Sequence, residues 1–143
     1  MGLFKFTKRH NQAQHRTPYT APLCLALGPK KEEQHMAMYL ISFPSAAMVA
    51  PDGELEAVGR AANDVVEEAK AAGVYVFAGG INEGVPPVLV STDGAVTIGG
   101  YPWAPPLNGG FTVLELPSRE EAVAWAARIA TACRCSQELR VVV

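Results

Sequence analysis

The chain has 143 residues, 49% hydrophobic and 18% charged, which leaves room for one domain with a short appendage and excludes two enzymatic domains. The formal net charge of −2 hides a division at Met36: residues 1 to 35 carry six basic residues against Glu32 and Glu33, a net +4, and the remainder six basic against twelve acidic, a net −6. A net-acidic domain without a basic stripe is not built for nucleic acid, and no apolar run approaches the ~20 residues of a membrane-spanning helix.

Residues 1 to 35 mix Gln, His, Thr, Pro and basic residues without a sustained period, the composition of a flexible leader. A signal peptide is the alternative, since a basic start precedes the apolar stretch from Pro22 to Gly28, but that stretch is short and no small-residue cleavage pattern follows. An over-extended start, with Met36 or Met38 opening the domain, is a third reading. Cys24, Cys133 and Cys135 are odd in number, and the last two have one residue between them rather than two. They predict no zinc ribbon and no disulfide framework, so a reducing, cytoplasmic setting is expected.

The apolar run from Met38 to Phe43, ended by Pro44, predicts a buried first strand. Leu55, Val58, Ala62, Val65, Val66, Ala69 and Ala72 then recur at helical spacing, with Asp52 as the expected cap and Gly73 as the stop. Val74 to Phe77 reads as a second strand running into Gly79 and Gly80, where a missing side chain permits a bend. Asp93-Gly94, between the stretches 87–92 and 95–98, predicts a hairpin with positive φ at both turn residues. Residues 99–110, rich in Pro and Gly, form a rigid irregular connection to a strand at Phe111 to Leu116. Ser118 and Glu121 form a capping box ahead of a second helix with Ala122, Trp125, Ala126, Ile129, Ala130 and Cys133 on one face. A last strand is expected from Gln137 to Val143.

The order β-α-β-(ββ)-β-α-β predicts an α+β, ferredoxin-like arrangement with two helices on one face of a mostly antiparallel sheet. The other face lacks a cover. Near-continuous apolar strands place hydrophobic side chains there as well, so a sheet-to-sheet homodimer enclosing a cleft is expected.

Several segments carry a family resemblance: the first strand, the stretch Glu68-Ala69-Lys70-Ala71-Ala72-Gly73-Val74, and Asn108-Gly109-Gly110-Phe111 leading into Leu116-Pro117-Ser118 and Trp125-Ala126-Ala127-Arg128-Ile129. Over about residues 36 to 140 the chain resembles the YCII-related family, in particular its DGPF-type branch. The resemblance implies a ferredoxin-like domain, residues 36–143, assembled as a dimeric α/β barrel. It also implies a cleft near the dimer interface and, for some members, a His/Asp pair and an association with extracytoplasmic-function sigma factors. The chain departs from the branch where it counts for chemistry, since Ile98-Gly99-Gly100-Tyr101 stands in place of Asp-Gly-Pro-Phe.

His10, His15 and His35 all fall in the leader, so the domain has no imidazole for acid–base work, and no metal cluster, phosphate loop or cofactor motif is expected. Among the acids, Asp93 is explained by its turn and Glu115 by solvent, which leaves Glu83, beside Asn82, as the catalytic candidate. Tyr101 and Trp103 could wall a small-molecule site, with Tyr39, Ser42, Asn82 and Asn108 as polar partners; packing of the same aromatics against a partner subunit is the rival use. Cys133 continues the helix's apolar stripe, whereas Cys135 reads as more exposed, with Arg134 beside it as a weak activator. The functional expectation is a homodimer that binds a small organic molecule in an interface cleft. A cofactor-independent lyase, isomerase or monooxygenase-like enzyme, or an accessory partner of a sigma factor, are the alternatives.

Overall fold

Residues 35–143 are described by the computed structural model; the expected leader, apart from His35, lies outside the described residues together with Cys24. The elements run β1 (Ala37–Phe43), a 3₁₀ turn (Ser45–Ala47), α1 (Leu55–Ala71), β2 (Tyr75–Gly80), β3 (Val88–Val90), β4 (Val96–Ile98), β5 (Gly110–Leu116), α2 (Arg119–Cys133) and β6 (Glu138–Val142). In space the main sheet has the order β2-β5-β1-β6 with every neighbouring pair antiparallel. β3 and β4 pair only with each other. The described chain is therefore mixed α+β, with two helices and two antiparallel sheets. The main sheet is open, with β2 and β6 as edges, and a single chain closes no barrel.

Strand alternation decides which side chains meet the helices. Tyr39 and Ile41 of β1, with Leu114 and Leu116 of β5, pack against Ala69 of α1 and Ala122, Ala126, Ile129 and Cys133 of α2 to form the core. Burying Ile41, Leu114 and Leu116 almost completely contributes roughly 1.5–3 kcal/mol for each. The opposite face carries Met38 and Leu40 from β1, Phe77 from β2, Phe111 and Val113 from β5, and Val142 from β6, as the strand registers require. No described element covers that face, and Met38, Phe77 and Val142 are exposed on it.

Helix ends follow local chemistry, with one departure. Gly73, at φ +74°, ends α1 as expected: its N–H donates to the Lys70 carbonyl and the Val74 N–H to that of Ala69. This pairing satisfies two carbonyls that the helix leaves open and favours glycine at the left-handed position. Asp52 is not the cap. The cap position is Glu54, without a side-chain hydrogen bond, because a turn through Asp52 and Gly53 lets the Glu54 N–H donate to the Pro51 carbonyl and displaces Asp52 from the helix. In α2 half of the expected capping box forms: Ser118 Oγ accepts from the Glu121 N–H at 3.2 Å, and the Glu121 side chain does not reach back to the Ser118 N–H.

The hairpin exists where expected but turns differently. Strand pairing stops at Val90 and Val96, the Ser91 N–H donates to the Ala95 carbonyl, and the Gly94 N–H returns to that of Ser91. Only Gly94, at φ +87°, is left-handed; Asp93 is not. Instead the Asp93 carboxylate accepts from Ser91 Oγ and from the Ala95 N–H, which favours a three-residue loop over the tighter two-residue turn.

Candidate functional site

Small residues leave space unfilled between α1 and the sheet. Gly59 and Ala62 of α1 line, together with Gly79, Gly80 and Gly110 of the sheet, a cavity of about 510 Å³, within the range of small-molecule sites. Its walls are largely apolar and include Phe43, Met48, Leu55, Val58, Trp125 and Ile129. Were this space a closed, dry void, a cost of about 24 cal/mol per Å³ would come to on the order of 10 kcal/mol, comparable to the stability of a whole domain. It is instead open to solvent, with Asn63, Glu67 and Lys70 of α1 among its lining residues and all three exposed.

Lys70 Nζ donates to Glu67 at 2.8 Å and stands 5.2 Å from the centre of the Tyr75 ring. The Glu67 hydrogen bond, followed by its charge, raises the Lys70 pKa above the ordinary lysine value. Thr112 is the one buried polar side chain of the described core, and it lines the cavity. Gln137 also lines it: its Nε2 donates to the Cys135 carbonyl at 3.3 Å, whereas its Oε1 is buried without a protein partner. Burial pushes the Cys133 thiol up, with a smaller contribution from the neighbouring Cys135. Burial raises Cys135 as well, against a hydrogen bond from Gln137. Both cysteines are thus held as thiols, the opposite of an activated nucleophile. The site offers apolar volume and a polar, charge-balanced rim; it does not pair a base with a nucleophile.

None of the seven residues singled out from the sequence lines this cavity. Tyr39 is 6% exposed within the core. Ser42, three residues on, points to the opposite face of the sheet, so the two cannot share a site. Asn82 caps its own turn, accepting from the Gly84 N–H at 3.0 Å. Tyr101 and Trp103 do meet, with ring centres 5.0 Å apart, but on an exposed segment. Glu83 and Asn108 are brought together through Ser45, which the sequence reading passed over: the Ser45 N–H donates to Asn108 Oδ1 at 3.0 Å, and Ser45 Oγ donates to Glu83 Oε2. This half-buried junction fastens the end of β1 to both ends of the excursion that contains β3 and β4.

Gly109 makes the junction possible. Its φ is +82°, and a Cβ there would lie 1.9 Å from the Phe43 carbonyl oxygen. Its own carbonyl accepts from the Ile81 N–H at 2.8 Å, which closes the base of the excursion. Glu83 and Asn108 thus have a structural use. Among the described residues, no group of three or more His, Cys, Asp or Glu could hold a metal ion, and no helix is long and apolar enough to cross a membrane. No protein-family model matches the chain, and no curated protein matches it in sequence.

Proposed function

We propose that the protein binds a small, predominantly apolar organic molecule between α1 and the main sheet. The observation that carries this reading is the 510 Å³ cavity with an apolar wall, a surface whose exposure to water costs about 25 cal/mol per Å² and which a ligand would relieve. The binding site thereby moves from the expected dimer interface into the helix–sheet layer of one chain. Titration of the full chain with the uncharged fluorophore N-phenyl-1-naphthylamine tests it. Saturable enhancement with one site per chain is expected; a linear, non-saturating response would refute it.

A second reading concerns assembly, and the uncovered outer face of the main sheet supports it. We infer that the chain is a homodimer that buries this face. The strand order β2-β5-β1-β6 with both helices on the other side supports the ferredoxin-like arrangement and the YCII-related resemblance, in which a dimer completes a barrel that the single open sheet lacks. Sedimentation of the full chain at micromolar concentration should give twice the 15.2 kDa chain mass, and a 15.2 kDa species throughout would refute the dimer.

A further inference from the structure

Two apolar faces of the described chain lack a cover, and they differ in kind. One is the outer face of the main sheet. The other is the arm from Ile81 to Gly109, whose strands β3 and β4 pair only with each other. In the arm's register Val88 stands opposite Ile98 and Val90 opposite Val96, so all four project from one side of the ribbon. All four are exposed, Ile98 at 81%; Val85, Tyr101, Trp103 and Leu107 are exposed on the same arm, Trp103 at 79%.

We propose that the β3–β4 arm of one copy lies over the uncovered sheet face of a second copy, whose own arm returns the contact. The proposal rests on the self-association inferred above and names the element that accomplishes it. An isolated two-stranded hairpin is at best marginally stable in water, and this one presents its valine–isoleucine side to solvent in the single chain. In such a reciprocal contact each copy contributes both its arm and its sheet face toward the ~800 Å² per partner of a standard interface. Composition points the same way: from Gly84 to Leu107 the only charged residue is Asp93, and interface cores are poor in charge and rich in aromatic residues. The arm has no cation to attract an anionic surface. A second copy carries the complementary apolar face, and a two-fold axis satisfies both arms and both sheets at once.

Ile98→Asp damages the arm and leaves the sheet face intact; Phe77→Asp damages the face and leaves the arm intact. Each variant alone is expected to raise the dimer dissociation constant about 100-fold or more, the scale of losing central interface residues. Mixed in equal amounts, they are expected to recover a 1:1 dimer, because one intact arm then meets one intact face. Sedimentation with one variant carrying a mass tag reads the result, and circular dichroism establishes folding. Met38→Asp, on the same face, replaces Phe77→Asp should the latter fail to fold. A dimeric wild type whose Ile98→Asp variant still dimerises overturns the arm contact and leaves the dimer standing. Dimer loss in both variants without recovery on mixing also overturns the arm-to-face contact. A monomeric wild type overturns both.

Discussion

Replacement of Gly109 by alanine isolates the backbone crossing on which the arm's base depends. Two penalties coincide there. A φ of +82° costs an L-residue roughly 1–2 kcal/mol. The added Cβ would also lie 1.9 Å from the Phe43 carbonyl oxygen and 2.9 Å from the Pro44 carbonyl carbon and the Ser45 nitrogen, all backbone atoms that cannot swing aside. Overpacking of this kind costs typically 1–3 kcal/mol, so the total is about 2–5 kcal/mol, a large share of the 5–15 kcal/mol that holds a domain together. Gly53→Ala is the matched control, because Gly53 has φ +88° with nothing within 4 Å and should lose about 1–2 kcal/mol only. Urea unfolding followed by circular dichroism measures both; at about 4 °C per kcal/mol, the Gly109 variant should melt roughly 8–20 °C lower than wild type. Equal losses at the two positions would refute the crossing and leave only the φ penalty.

Ala62→Phe, placed within the cavity wall, should weaken N-phenyl-1-naphthylamine binding at least about tenfold while the circular dichroism spectrum is retained. Unchanged affinity would place the dye elsewhere. Ser118→Ala removes the acceptor for the Glu121 N–H and should cost about 1 kcal/mol in urea unfolding, with Ser118→Asp restoring most of it. The Asp93 carboxyl is held below the usual carboxylate range, first by Ser91 Oγ and then by the Ala95 N–H. Because its folded pKa lies below the unfolded value of about 3.9, the contribution to hairpin order is full above that value and is lost as pH falls through the folded pKa. NMR chemical shifts of the Ser91 and Ala95 amides should follow that titration in wild type and lose it in Asp93→Asn.

Periodicity made the main layer legible in the sequence because burial enforces it. The alternation Ala37, Tyr39, Ile41, Phe43 and the helical spacing of Ala122, Ala126, Ile129 and Cys133 report directly on one core, and the Ser118 cap is a local hydrogen bond with a local signature. The cavity has no such signature. Gly59 and Ala62 line it together with Gly110, about a third of the chain away, and small residues spread through a helix and two strands do not announce that they border one space. Ser45 escaped notice for a related reason: its partners Glu83 and Asn108 lie 38 and 63 residues away. Polar residues on the loops suggested a site, but Asn82 and Asn108 serve the backbone's turns. Conversely, the arm's Val88, Val90, Val96 and Ile98 look like core in the sequence and are exposed in the single chain. A strand pattern records that a face is to be buried without recording by which chain. The mismatch between apolar pattern and exposure falls mainly on the arm and the outer sheet face, and the proposed arm-to-face dimer would cover both.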